Sequence, residues 1–310
     1  MNALSRRIAI AALLVLAFSA GAARAQLTDP LAWAASLKAE YKTHSEITYL
    51  TANNWEGKLD LYLSRNPAPN PTLVYFHGGG WQGGLKQDRI LELIPYLVMG
   101  WSIVNVEYRA ARVSLAPAAV EDCRCALAWV YANAKRYNFD TTKIVVTGSS
   151  AGGHLALTTG MLPESAGLDR QCPSKDELKV AAIINWFGVT DVVDLLDGPN
   201  MKEYAVGWLG SQPDREAIAK RVSPLTYVRA GLPPILTIHG DADPAVPYTH
   251  AVRLQQALNK AGVPNELLTI PGGQHGYFSR EEWVKIYASI RAFLSKHDLM
   301  PKPVEKPAAR

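Results

Sequence analysis

Short apolar runs alternate with longer helical patterns along most of this chain, and that rhythm restricts the fold more than any other feature. The runs cover 72–76, 102–107, 144–147, 180–186, 235–238 and 266–270. They are rich in β-branched residues and carry few polar interruptions, as strands buried on both faces of a parallel sheet require. Helical periodicity falls between them at 117–137, 150–161, 249–261 and 280–296. Before the first run, 46–51 and 58–64 alternate polar and apolar residues around Asn53-Asn54, which predicts an antiparallel hairpin. The expectation is an α/β fold. It has a mostly parallel sheet of about eight strands, helices on both faces, and a small insert after the sixth strand.

The third buried run ends in Gly148-Ser149-Ser150-Ala151-Gly152, directly ahead of a helical pattern. Gly-x-Ser-x-Gly between strand and helix is a nucleophile elbow, and the α/β-hydrolase fold is where it occurs. The helix start aims free N–H groups and positive dipole at the carbon Ser150 would attack. A serine hydroxyl needs a base, and the base needs an orienting acid. His275 lies in Pro271-Gly272-Gly273-Gln274-His275-Gly276, a loop after the last predicted strand. Asp241 and Asp243 lie on the loop after the preceding strand, and Pro244 stiffens the chain beside Asp243. Asp243 is the preferred acid, with Asp241 bracing the loop. His239 is expected to be buried, and His250 exposed on a helix. His77-Gly78-Gly79-Gly80-Trp81 follows the first buried run, where backbone N–H groups of Gly79 and Gly80, with that of Ala151, can cradle an oxyanion.

The same segment also fits a dinucleotide fingerprint, Gly78-x-Gly80-x-x-Gly83 with Glu107 ending the next strand. Gly83-Gly84 delays the helix beyond the turn, however, and that reading leaves the elbow and both later loops as coincidences. A non-catalytic hydrolase-fold binding module would be expected to lack part of the triad, and all three members are present.

These motifs, together with Glu107-Tyr108-Arg109 and Ser223-Pro224-Leu225, resemble secreted α/β-hydrolase esterases. The nearest group is the bifunctional feruloyl/acetylxylan esterases, neighbours of the hormone-sensitive-lipase-like carboxylesterases. The resemblance spans about residues 59–293. It implies Ser150 as nucleophile, His275 as general base, Asp243 as orienting acid, and Gly79, Gly80 and Ala151 as oxyanion donors. The implied chemistry needs no cofactor or metal. The substrate would be a small or polysaccharide-linked ester, with a general short-chain carboxylesterase or an arylformamidase-like hydrolase as rivals. Trp81, Trp208, the 162–179 loop and the 191–230 insert are expected to wall the substrate pockets.

The first 25 residues pair Arg6-Arg7 with an apolar run and end in Ala23-Arg24-Ala25, the pattern of a signal peptide cut after Ala25. The expected location is secreted or periplasmic, with no stable membrane anchor. The expected layout is a signal peptide over 1–25, a catalytic domain over 26–299 and a flexible tail over 300–310. Net charge is +4, and losing Arg6, Arg7 and Arg24 leaves about +1, so no basic field argues for nucleic acid. Of three cysteines, Cys123 and Cys125 face apart on one helix; one of them can pair with Cys172, or all three can stay reduced.

Overall fold

The computed structural model describes residues 30–301. The proposed signal peptide and its cleavage point, and the tail from residue 302, lie outside these. The described chain falls into a short unit ending at Lys42, which carries the helix Pro30–Glu40, and a unit from Thr43 onward. Among the described residues no helix is long and apolar enough to cross a membrane.

Eight strands form one open sheet: β1 (Tyr41–Ala52), β2 (Trp55–Ser64), β3 (Asn70–Phe76), β4 (Ser102–Val106), β5 (Phe139–Ser149), β6 (Ala182–Trp186), β7 (Ile235–Gly240) and β8 (Asn265–Ile270). Their spatial order is β1-β2-β4-β3-β5-β6-β7-β8. β2 runs antiparallel to β4, pairing Leu59 with Val106 and Leu61 with Val104. From β4 to β8 every pairing is parallel. The hairpin turns at Asn53-Asn54, both at positive φ, as the tight two-residue turn matching strand twist requires. Asparagine accepts that conformation more readily than other side chains.

The buried runs form strands because alternate residues enter two separate cores. Val74, Phe76, Val104, Ile144, Val146 and Ile183 face one core. Leu73, Tyr75, Ile103, Val145, Ile184 and Leu236 face the other. The first core is covered by helices Ala118–Ala132, Ala151–Met161 and Thr249–Lys260, the second by Ile90–Val98 and Arg280–Lys296. Ala151–Met161 carries no charged residue at neutral pH and is nearly all buried, its polar His154 and Thr158 being hydrogen-bonded inside the fold. This is the α/β-hydrolase architecture. The chain leaves β3 towards β4 on one side and leaves β5 towards β6 on the other. The carboxyl ends of β3 and β5 therefore flank a crevice where the crossovers diverge, which is where open α/β sheets bind ligands.

The 162–179 segment corrects one expectation. It follows a helix that starts at the carboxyl edge of β5 and returns the chain to the start of β6. It therefore sits at the amino edge, away from the crevice, and Ala181 N–H bonds the Ile144 carbonyl at the beginning of the buried part of β5. A cleft of about 720 Å3 opens there, lined in part by Leu162, Cys172, Leu178 and Leu232. A Cys125–Cys172 disulfide pins the segment to helix Ala118–Ala132, and Cys123 stays a buried free thiol.

Candidate active site

Ser150 holds φ +58° and ψ −119° between β5 and the helix Ala151–Met161. A non-glycine residue there is strained, and such strain persists only where the surroundings fix it. Here Ser150 N–H donates to the Trp186 carbonyl (2.9 Å), and its own carbonyl accepts from His154 N–H (3.0 Å). The tightness explains Gly152. A Cβ there would overlap the Phe76 carbonyl oxygen and come within 2.7 Å of that of His77. Glycine lets the elbow pack directly against the end of β3.

The structure brings the three separated candidates together. His275 Nε2 lies 2.9 Å from Ser150 Oγ, and His275 Nδ1 lies 2.7 Å from Asp243 Oδ2. Phe187 meets the His275 ring edge-on, with centroids 4.7 Å apart. Just beyond His275, Ser279 and Glu282 form a reciprocal capping box that starts helix Arg280–Lys296 and so fixes the far end of the histidine loop. Asp241 braces as expected, accepting from Gly272 N–H at 2.6 Å and tying the acid loop to the histidine loop.

Asp243 is buried. Burial raises its carboxyl pKa, but hydrogen bonds from His239 and His275, the His275 charge and the Val246 N–H act the other way. Together they hold the group well below the usual carboxylate range. A hydroxyl, an imidazole and an ionised carboxylate in series form the arrangement that activates a serine and then returns its proton to a leaving group.

Opposite the elbow, Gly79 sits at φ +128° and Gly80 at φ +58°. At Gly79 a side chain would meet both a forbidden dihedral and the Gly83 carbonyl. Among the described residues no protein acceptor takes the N–H of Gly79, Gly80 or Ala151. Glu107, the candidate ribose acid of the dinucleotide reading, instead accepts from Lys86 N–H at 2.7 Å. Among the described residues no group of three or more His, Cys, Asp or Glu could hold a metal ion.

Two expected substrate contacts are corrected. Trp81 and Trp208 have no exposed surface; they stack face to face at 4.1 Å, and Trp81 Nε1–H donates to His154 Nδ1 at 3.2 Å. They form an apolar pad behind the glycine loop, because the insert folds Trp208 down onto Trp81. His250 is buried rather than exposed, taking Thr190 N–H on Nδ1 at 3.0 Å.

The insert does reach the crevice through Tyr204. Its Cβ is 3.1 Å from where a Gly80 side chain would begin, and its hydroxyl donates to the Ala245 carbonyl at 2.8 Å. Lys202 Nζ donates to the Pro244 carbonyl at 3.0 Å. The insert thus bridges the glycine loop and the acid loop. This bridging role of Tyr204 depends on the folded path of the insert, which no local motif encodes.

Comparison with known proteins agrees with this geometry. Esterase LipQ of Mycobacterium tuberculosis is 30% identical over 233 residues, 72% of this chain and 54% of that protein. The chain spans about half the length of these curated relatives, Esterase LipQ and two other Mycobacterium tuberculosis esterases among them. Thermogutta terrifontis esterase 2, solved phosphonylated by cyclosarin, superposes with TM-score 0.70 at 28% identity, covering 84% of this chain and 96% of that one. A truncated carbohydrate esterase from gut microbiota superposes with TM-score 0.69 at 25% identity, covering 83% and 98%. The BD-FAE family matches residues 59–258, from β2 through helix Thr249–Lys260. With that match spanning most of the chain, the protein belongs to the BD-FAE family of α/β-hydrolases.

Proposed function

We propose that this chain is a serine esterase that hydrolyses short-acyl or aromatic carboxylic esters through an acyl-enzyme. The observation that carries the reading is the unbroken series from Ser150 Oγ through His275 to Asp243, at 2.9 and 2.7 Å. Ser150 Oγ attacks the ester carbonyl carbon as its proton passes to His275 Nε2. The carbonyl π pair moves onto oxygen, where the N–H groups of Gly79, Gly80 and Ala151 receive it. Each such donor contributes roughly 3–4 kcal/mol to lowering the barrier. Collapse breaks the bond to the alcohol oxygen, which leaves with the proton from His275. Water, deprotonated by the same imidazole, then attacks the acyl-enzyme and releases acid and Ser150. Asp243 keeps the His275 ring oriented and stabilises the imidazolium in both halves.

Acetyl or feruloyl esters of plant polysaccharide are the proposed substrates, supported by the family and by the carbohydrate esterase neighbour. A general short-chain carboxylesterase is the rival, supported by the likeness to Thermogutta terrifontis esterase 2 with propionate bound. Export through the N-terminal leader, with cleavage after Ala25, belongs to the same reading.

Hydrolysis of p-nitrophenyl acetate by native protein and Ser150→Ala tests the mechanism. The variant should lose at least about 10⁴-fold in kcat and resist labelling by paraoxon. Equal hydrolysis by both proteins ends the proposal. Acetylated xylan, methyl ferulate and p-nitrophenyl esters of rising chain length then separate the two substrate readings.

A further inference from the structure

Asp243 is held by more than the catalytic histidine. A carboxylate offers about four lone-pair sites, and here four nitrogens approach within 3.2 Å. Oδ1 accepts from the N–H groups of Ala245 (2.8 Å) and Val246 (3.0 Å). Oδ2 accepts from His275 Nδ1 at 2.7 Å and faces His239 Nε2 at 3.2 Å. Two of these donors belong to the acid's own loop, and the third is the residue it serves. The fourth, His239, is fully buried near the end of β7.

The surroundings of His239 fix its tautomer. Nε2 also lies 3.1 Å from the Val246 carbonyl. Both atoms near Nε2 are acceptors, so this nitrogen carries the hydrogen. Nδ1 is buried and meets no partner. The ring is framed edge-on by Tyr248 and Phe187, with centroids at 5.6 and 6.4 Å. A buried polar side chain in an apolar frame is costly unless its hydrogen bond returns something. Its Nε2–H is placed between the Val246 carbonyl, at 3.1 Å, and the carboxylate oxygen that receives His275, at 3.2 Å.

Resting on the esterase reading, we propose that His239 is a second histidine of the active site, a positioning residue that anchors Asp243 to β7. It donates from the sheet, whereas the backbone donors move with the loop. Without it, Oδ2 keeps one donor, and the carboxylate is free to turn about its Oδ1 contacts. The negative charge that Oδ2 shared between two rings then falls on His275 alone. Other ionisable groups surround the pair without touching the carboxylate. Tyr204 bonds the Ala245 carbonyl, Lys202 bonds the Pro244 carbonyl, Asp241 holds Gly272 N–H, and Tyr248 pairs with Thr269.

Steady-state kinetics of His239→Leu, His239→Gln and His239→Asn test this, with p-nitrophenyl acetate and full pH profiles. Leucine removes the donor. The glutamine amide can place an N–H near the position of Nε2, and the asparagine amide stops short of it. In His239→Leu, kcat should fall about tenfold or more with KM within about twofold. The acid limb of kcat/KM should move to higher pH, because His275 then holds its proton more tightly. His239→Gln should recover most of the loss. A folded His239→Leu with native kcat and an unmoved acid limb overturns the proposal. If leucine prevents folding, equal activity in the glutamine and asparagine variants overturns it, and activity retained only in glutamine supports it. Native protein that leaves the ester intact defeats the esterase reading instead, so the two failures are distinct.

Discussion

Ser150 and Gly152 show how closely single residues are bound to the chemistry. The elbow's positive φ is maintained because β3 presses against it, and β3 can do so only where no side chain intervenes. Gly152→Ala should therefore cost about 3 kcal/mol or more, read from urea unfolding midpoints, since its Cβ meets backbone that cannot turn aside. At this scale the site was legible in the sequence. Ser150, Asp243 and His275 each follow their own strand, and parallel strands deliver their carboxyl ends to one edge. Trp81 and Trp208 were not legible as packing residues. An aromatic beside a glycine turn reads equally well as a wall or a buttress, and only the insert's path, which stacks the two rings, decides. His239 was read as buried, and its approach to Asp243 depends on how the chain turns after β7.

Among the elements, the Cys125–Cys172 disulfide makes the clearest division between stability and catalysis. It closes a sequence separation of 47 residues, for which loop-closure entropy gives about 4 kcal/mol. Because 162–179 lies at the amino edge, Cys172→Ser should lower the urea midpoint by an amount of that order while kcat stays within about twofold. A matching loss of kcat in still-folded protein would show that the two edges are coupled. The strands from β3 to β7 were legible because runs buried on both faces are mostly apolar, with only isolated polar residues such as Asn105 and Asn185. The location of 162–179 was legible too, in principle. A segment between a helix and the next parallel strand must return to the edge where strands begin. The insert's helix Glu203–Leu209 was missed; it is a seven-residue piece, too short for periodicity to reveal.

Across the whole molecule, three buried imidazoles tie stability to pH. Burial pushes His77, His154 and His250 down from 6.5 to about 4. The folded state keeps them neutral where the unfolded chain already takes up protons. Their contribution is therefore complete above about pH 6.5 and declines as pH falls towards 4, by up to about 1.4 kcal/mol per unit for each histidine. Glu92, Glu107, Glu121 and Asp122, whose pKa values burial raises, oppose this trend. His154→Gln should thus give a shallower fall in unfolding free energy between pH 6.5 and 4 than the native protein, measured by urea titration at several pH values. An unchanged slope would mean that His154 is protonated in the fold. The separation of the two sheet edges also matters for handling the protein. The exposed stretch around Ser174 offers an attachment point for a resin or a fused carbohydrate-binding module. A molecule tethered there presents the Ser150 edge away from its support.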